Sequence, residues 1–123
     1  MTVLTEGNHR AEFLVSEANG TRSREIVTVL SATALEPGTV LALQDDSYYV
    51  PLDEDATSSD LSMAAAILYD HVDADSSDGL PAVAITNDAE VNGHELIWPA
   101  GISAEDKTAA ETQLRAAGIK VRY

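Results

Sequence analysis

Apolar positions fall in short runs between polar stretches that contain glycine, proline or several carboxylates, a pattern typical of strands and turns. The segment Glu25–Thr33 is β-branched and apolar on both faces, which predicts a buried strand. Thr39–Gln44 and Ser47–Leu52 flank a two-residue acidic spacer, so we expect a hairpin. Pro51 should end its second strand or place it at a sheet edge, because proline donates no backbone hydrogen bond.

Three later runs also predict strands. Ala82–Thr86 is short and apolar, and Glu95–Pro99 is stopped by its proline. Asn92-Gly93, between these two runs, is typical of a tight reverse turn. Ile119–Tyr123 alternates between apolar and basic residues, which places its two cations on one side of the last strand.

The run Leu61–Tyr69 is compatible with two structures. Three adjacent alanines favour a helix by local propensity. Its short length and the acidic residues that bracket it, Asp60 and Asp70, also suit a buried strand. The residues alone leave this choice open.

One helix is predicted from clear end signals. Ser103 can accept hydrogen bonds from the free amides of the first turn, where Glu105 and Asp106 suit the positive end of the helix dipole. Gly118 supplies a left-handed stop. The apolar stripe of this helix is thin, so the helix should lie against a sheet. The stripe consists of Ala110, Leu114 and Ala117.

Residues 1–24 show no sustained period and predict an arm that precedes a body of residues 25–123. Within the arm, Glu12–Ser16 has the chemistry of a strand and could pair with a sheet edge of another chain. Phe13 and Val15 would then share one side of that strand. Because Phe13 has no local core to join, we expect its ring to serve a partner, and we expect the body to fold without residues 1–20.

The composition indicates one compact domain of 123 residues. The absence of cysteine excludes disulfides, thiol nucleophiles and cysteine-bound zinc. No apolar stretch approaches the roughly 18 residues of a membrane span, and the N-terminus lacks the pattern of a signal peptide. We therefore expect a protein that is made in the cytoplasm and contacts no membrane.

The formal net charge is -14, and the basic residues lie near the two ends. The interval from Glu25 to Asp106 contains no lysine or arginine between its ends and holds most of the 21 acids. Such a surface disfavours binding to nucleic-acid phosphates. The acidic clusters Asp53–Asp55 and Asp73–Asp78 suit solvated loops, cation sites or a mimic of a phosphate backbone, and solvated loops are the simplest interpretation.

Sequence motifs of catalysis are missing. His94 begins a zinc-protease pattern, but Trp98 stands where the second histidine is required. A calcium loop starting at Asp73 fails, because Gly79 is one position late and Ala84 occupies the closing position. We predict no catalytic residue, no metal site and no cofactor. The three histidines are interpreted as ordinary side chains: His9, His71 and His94.

Three large aromatic residues have two interpretations. Tyr48, Tyr49 and Trp98 carry both apolar and polar atoms, and such residues occur in cores and at the centres of interfaces alike. We therefore expect either core contacts or contacts between chains at these positions.

Several segments occur in a recognisable order: Glu12–Ala18, Ser23–Glu25, Pro37–Leu41, Ala64–Leu68, Val72–Ala74, Ala89–Asn92, Leu96–Pro99 and the closing helix. Their order, their spacing and the total length resemble the head decoration proteins of tailed bacteriophages, the lambda-type protein D family. The resemblance covers nearly the whole chain.

The resemblance implies a mainly β (α+β), β-clip-like domain with one C-terminal helix, assembled as a homotrimer. It also implies that Ala64–Leu68 is a strand and that the arm contacts the capsid. Tyr48, Tyr49 and Trp98 would be trimer or core contacts. The arm residues assigned to capsid binding are Glu12, Phe13, Leu14, Val15 and Ser16.

The function implied by the resemblance is decoration of the expanded phage head at three-fold and quasi-three-fold sites, which stabilises it against DNA pressure. The partner would be the major capsid protein of a tailed phage, with no nucleic acid and no membrane. The chain would be made in the host cytoplasm and reside on the outer surface of the virion. The alternative is an acidic DNA mimic that inhibits a nucleic-acid-binding protein; a trimeric mass favours decoration and a monomer favours the mimic.

Overall fold

The computed structural model describes residues 9–20, 22–31, 33–44, 48–53, 63–72 and 79–123. These residues form eight strands and one α-helix, so the prediction of a mainly β fold with a single C-terminal helix is confirmed. The elements are β1 (Leu14–Glu17), β2 (Arg24–Val29), β3 (Val40–Gln44), β4 (Tyr48–Pro51), β5 (Ala64–Leu68), β6 (Leu80–Ile85), β7 (Ala89–Asn92), α1 (Ala104–Ala116) and β8 (Ile119–Arg122).

Five strands close into a small barrel in the order β2-β4-β3-β5-β6. The predicted hairpin is confirmed, because β3 and β4 pair antiparallel, with Leu41 opposite Pro51 at one end and Gln44 opposite Tyr48 at the other. Pro51 is the last residue of β4, as its missing amide requires. The predicted strand at Ala82–Thr86 is also confirmed except for Thr86, because β6 ends at Ile85.

The alanine-rich segment is a strand. Ala64–Leu68 forms β5, which pairs with β3 on one side and with β6 on the other. Four of its five residues are buried. Small side chains fit this crowded wall between two sheet neighbours, so tertiary packing prevails over the helix propensity of alanine.

Three strands form a second sheet in the order β1-β7-β8. β1 runs antiparallel to β7, and β8 runs parallel to β7. The last strand is confirmed as Ile119–Arg122, with Ile119 buried while Lys120 and Arg122 are exposed. The basic residues of β8 therefore face solvent together.

Two apolar cores lie on either side of the barrel wall. Neighbouring residues of β3 divide between them: Leu41 belongs to the barrel interior and Val40 to the layer between the barrel and the second sheet. Leu114 of α1 and Ile119 of β8 complete this outer layer. The barrel wall is thus apolar on both faces, which explains why its strands lack strict alternation.

The helix begins and ends as predicted. Ser103 Oγ accepts a hydrogen bond from Asp106 N at 3.1 Å, and Gly118 has a φ of 92°. Ala110 and Leu114 are buried, while Ala117 is partly buried. A thin stripe of small residues lets α1 lie close to β5 and β8.

Two predictions on strands are wrong. The segment Glu25–Thr33 is not buried on both faces, because Ile26 in β2 is 81% exposed and Val29 alone in that strand is fully buried. Glu95–Pro99 is not a strand: a 3-10 turn spans Gly93–Glu95, and the following residues make only an isolated bridge between Ile97 and Thr39.

The predicted reverse turn at Asn92-Gly93 has a different role. Asn92 Oδ1 accepts a hydrogen bond from His94 N at 3.0 Å and so caps the 3-10 turn. The chain then crosses toward the barrel instead of returning as a hairpin. An asparagine side chain can cap a helical turn as readily as it can occupy a reverse turn, and here it caps the 3-10 turn.

A turn at Pro37-Gly38 connects the two layers. Gly38 N donates to Leu68 O at 2.9 Å, and Gly38 O accepts from Ile97 N at 2.8 Å. Gly38 has a φ of 97°, and a Cβ at this position would lie 2.8 Å from the carbonyl oxygen of Glu95. Only glycine fits both requirements without strain.

Several predicted loops lie outside the described residues. These are Asp45-Asp46 of the hairpin, residues 54–60 of the first acidic loop and Asp73–Asp78 of the second. Among the residues that the structure describes, no helix has the length and apolar character needed to cross a bilayer.

Candidate interaction surfaces

The segment His9–Glu17 is hydrogen-bonded to its own domain. Ala11 takes a φ of 57°, and its amide donates to Tyr69 O at 3.0 Å. Asn92 N donates to Phe13 O at 2.8 Å, just before β1 pairs with β7. From residue 9 onward, the described part of the predicted arm is therefore attached to both the barrel and the second sheet.

Phe13 lies in the core. Its side chain is 1% exposed and belongs to the apolar layer between the barrel and the second sheet, next to Gly38. The expectation that Phe13 has no core to join is wrong. β1 pairs with β7 of the same chain, and this pairing places the ring against a core whose residues are distant in sequence.

Val15 faces solvent because the strand is irregular. The register between β1 and β7 shifts between Leu14 and Ser16, which accommodates an extra residue. Val15 is 56% exposed, whereas Phe13 is buried, so the prediction that both share one side is wrong. Glu12 and Ser16 are also exposed, and Leu14 packs against the core.

An ion pair joins β1 to β2. Arg24 Nε donates to Glu17 Oε2 at 2.8 Å while Arg24 Nη2 contacts Glu17 Oε1, and the guanidinium lies 4.4 Å from the centre of the Tyr69 ring. The hydrogen bond from Arg24 lowers the pKa of Glu17, and the bond to Glu17 raises the pKa of Arg24. A bidentate pair of this kind fixes the geometry of both side chains.

Glu90 links the three strands of the second sheet on their exposed face. Ser16 Oγ donates to Glu90 Oε2 at 2.8 Å, and Arg122 Nε donates to Glu90 Oε1 at 2.6 Å. These two hydrogen bonds, the one from Ser16 foremost, lower the pKa of Glu90. The exposed faces of β1, β7 and β8 are thus connected through one carboxylate.

The three predicted aromatic residues occupy different environments. Tyr49 packs against the barrel interior, and burial raises its pKa. Trp98 packs partly against the outer layer, beside Lys107 Nζ at 5.3 Å from the ring centre. Tyr48 is 42% exposed. Tyr49 and Trp98 therefore contribute to cores, and Tyr48 is the one of the three that is available at the surface.

An exposed apolar groove lies on the outer wall of the barrel. Ile26 pairs with Val83 across β2 and β6, and Tyr69 follows β5 on the other side of Val83. Together with Arg24 and Glu25 these residues line a groove of about 410 Å³. This groove could not be predicted from local sequence, because an isoleucine within a β-branched run is normally interpreted as buried.

The C-terminal residue is held by a cluster that sequence analysis also missed. The Tyr123 hydroxyl donates to Glu111, and the ring lies against Gly93, where a side chain would otherwise be. His94 meets the ring edge-on at 5.0 Å between centroids. Partial desolvation and the bond to Glu111 raise the pKa of Tyr123 to about 12.

Arginines neutralise several carboxylates that the sequence left unassigned. The ion pairs are Arg10–Asp70, Arg22–Asp88, Arg24–Glu17 and Arg122–Glu90. These carboxylates therefore do not present the unpaired row of charges that a mimic of a phosphate backbone requires.

The described ranges contain no group of three or more histidines and carboxylates arranged to hold a metal ion. His71 Nδ1 lies 3.4 Å from Asp70 Oδ1, and His94 packs against Tyr123.

Comparison with known proteins gives one finding. A family model described as bacteriophage lambda head decoration protein D matches residues 3–119. No curated protein sequence matches the chain. The matched region includes the segment around Phe13, strands β1 to β7 and the whole of α1, and it ends at the first residue of β8.

Proposed function

The chain belongs to the family of bacteriophage lambda head decoration protein D, and from this premise we propose how it acts. It binds the outside of the expanded head as a homotrimer at three-fold and quasi-three-fold positions. There it stabilises the shell against the pressure of packaged DNA. It acts as a structural protein of the virion that is made in the host cytoplasm, and its partner is the major capsid protein of a tailed phage.

The capsid contact is assigned to the surface of residues 12–16 and to residues 1–8, which lie outside the described part of the chain. Glu12, Val15 and Ser16 supply the exposed side chains of this contact. Phe13 and Leu14 hold the segment in place through their contacts with the core. The outer edge of β1 then offers backbone groups to an extended capsid segment.

The observation that carries this proposal is the exposed Val15 on an edge strand anchored by a buried Phe13. An edge strand that is already ordered loses little conformational entropy when it pairs with a partner. The exposed valine adds an apolar contact of the kind that contributes to affinity at interface centres. The described part of the segment is therefore suited to docking without a folding step.

Stabilisation follows from mass action. A protein that binds only the expanded shell lowers the free energy of that shell relative to other states. Three linked copies raise the effective concentration of each contact after the first has formed. Modest contacts repeated over the head therefore sum to a large effect.

The proposal is tested by co-sedimentation of the full chain with expanded heads that lack decoration protein. Val15→Asp should weaken binding by more than ~1 kcal/mol, because it places a charge in an apolar contact. Met63→Asp is the matched control, since Met63 is 50% exposed and lies on the barrel. Undiminished binding by the Val15 variant would remove this segment from the contact.

A truncation tests the rest of the predicted arm. Removal of residues 1–8 leaves every described element in place and should reduce head binding without lowering the melting temperature. Removal of residues 1–20 is no longer a suitable test, because it deletes Phe13 from the core and is expected to unfold the domain.

A further inference from the structure

Strand β2 has an open edge over most of its length. On one side it pairs with β6 at six consecutive positions, with Arg24 opposite Ile85 at one end and Val29 opposite Leu80 at the other. On the other side β4 pairs with β2 only at Val29–Tyr49, where Leu30 N donates to Tyr49 O at 2.9 Å. The barrel is therefore closed at one end of β2 and leaves the other end without a neighbour among the described residues.

The direction of the backbone groups follows from the hydrogen bonds nearby. Thr86 N donates to Ser23 O at 2.9 Å, so alternate residues from Ser23 onward direct their backbone groups toward β6. Pro81 has no amide hydrogen to donate. It lies opposite Thr28 in a pair whose backbone groups do not bond to each other, so a proline is tolerated there. The N–H and C=O of Ile26 consequently point to the open edge, beside a side chain that is 81% exposed.

A second open edge with complementary chemistry occurs on β8. This strand is the outer member of the second sheet and carries the exposed cations Lys120 and Arg122. A groove of about 240 Å³ lies beside it, lined by Val121 and, on α1, by Thr108, Glu111, Thr112 and Arg115. The β2 edge has an exposed isoleucine and the exposed carboxylate of Glu25, whereas the β8 edge has a groove and positive charge.

We propose that copies of this chain associate head to tail by pairing the open edge of β2 (Arg24–Thr28) with the open edge of β8 (Ile119–Arg122) of the next copy. Ile26 enters the groove beside β8, and Glu25 faces Lys120 of the neighbour. Two different surfaces form this interface, as a closed three-membered ring requires. The inference rests on the homotrimer of the proposed function and assigns its contact surface.

The second copy is the favoured occupant because one chain supplies both halves of the contact. The chain carries a net charge of -14, so like surfaces repel and association requires that its few cations meet a neighbour's carboxylates. The edge of β8 offers Lys120, since Arg122 already pairs with Glu90 of its own chain, and the edge of β2 offers Glu25 close to an apolar side chain.

The test is the mass of the full chain in solution, measured by light scattering over a range of concentrations. The wild-type chain should reach three times 13.0 kDa. Ile26→Asp should weaken association at least about tenfold per interface, since a central apolar contact is replaced by a charge. Met63→Asp places the same charge at another exposed apolar side chain, which is 50% exposed, and this variant should remain trimeric. Thermal melting by circular dichroism checks that each variant is folded.

A charge exchange tests the assignment of β8. Glu25→Lys and Lys120→Glu should each weaken the trimer, and the two together should restore it. A trimer that survives Ile26→Asp, or a double variant that is no better than the single ones, overturns the inference. A folded Ile26 variant that stays trimeric but loses head binding also overturns it, because β2 would then face the capsid.

The failure of this inference is distinguishable from failure of the proposed function. A wild-type trimer that sediments with heads supports the proposed function whatever the Ile26 variant does. A wild-type chain that is monomeric at every concentration overturns the inference, and co-sedimentation then decides separately whether the chain decorates heads.

Discussion

The segment around Phe13 and the strand around Ile26 lie close together in sequence, yet the burial of each residue is the opposite of what its local sequence predicts. Phe13 stands in a polar stretch and is 1% exposed, whereas Ile26 stands in a β-branched run and is 81% exposed. The difference lies in what faces each residue. β1 packs over a core built from distant strands, whereas the first half of β2 has a partner on only one edge within the described ranges. Burial is therefore a property of the assembled layers.

The largest expected effect separates these two residues directly. Phe13→Ala should lower the free energy of unfolding by about 3–5 kcal/mol, because it removes a buried ring and leaves a cavity. Ile26→Ala should change it by no more than about 0.5 kcal/mol, as for other exposed positions. Urea denaturation of both variants measures the difference. Similar losses of unfolding free energy in the two variants would contradict the burial of Phe13 and the exposure of Ile26.

A second variant examines the pocket that receives Phe13. Gly38→Ala should cost roughly 1–3 kcal/mol from its positive φ, and more from the contact with Glu95 O. Gly101→Ala is the matched control, since Gly101 has a φ of 76° and no atom near the position of a Cβ. The excess loss of stability in the Gly38 variant, measured by thermal melting, reports the close approach. Equal losses would show that backbone conformation alone matters.

The smallest effect concerns the ion pair that ties the two regions together. Glu17→Gln should cost about 1 kcal/mol at neutral pH, because it weakens the bidentate bond to Arg24. The pKa of Glu17 is lowered in the folded state, so its stabilisation is present above the unfolded value of 4.5 and is lost as pH falls through the folded pKa. The variant and the wild-type chain should thus converge in acid.

The control for this ion pair is Arg22→Gln. Arg22 pairs with Asp88, but both side chains are largely exposed, so the loss should be smaller than for Glu17→Gln. Denaturation curves at neutral and at acid pH measure both variants. A Glu17 variant whose destabilisation persists unchanged in acid would show that its cause is not the charged pair.

The candidate surfaces were only partly accessible to sequence reasoning. Val15 lies in the segment assigned to capsid contact, and Tyr48 was named as a contact between chains or within the core; both side chains are exposed. Ile26, the most exposed of the large apolar side chains described, was placed in a buried strand. Exposure of an apolar residue depends on an absent neighbour, and local sequence does not encode which strand edges remain open.

Features that depend on neighbouring residues could be predicted from the amino-acid sequence. The start of α1 at Ser103, its end at Gly118, the β3–β4 hairpin and the terminal alternation follow from caps, spacing and charge. Each of these is a local interaction of a few residues, so its signal is complete within a short window.

The other features depend on how distant segments pack in the fold. The alanine-rich β5 is a strand because two neighbours pair with it, against the propensity of its residues. Phe13 is buried because β1 pairs with β7, more than seventy residues away. Glu95–Pro99 crosses to the barrel, where the backbone of Ile97 bonds to Gly38 and Val40. These outcomes depend on contacts between distant segments, whose free energies exceed the fraction of a kcal/mol that separates local preferences.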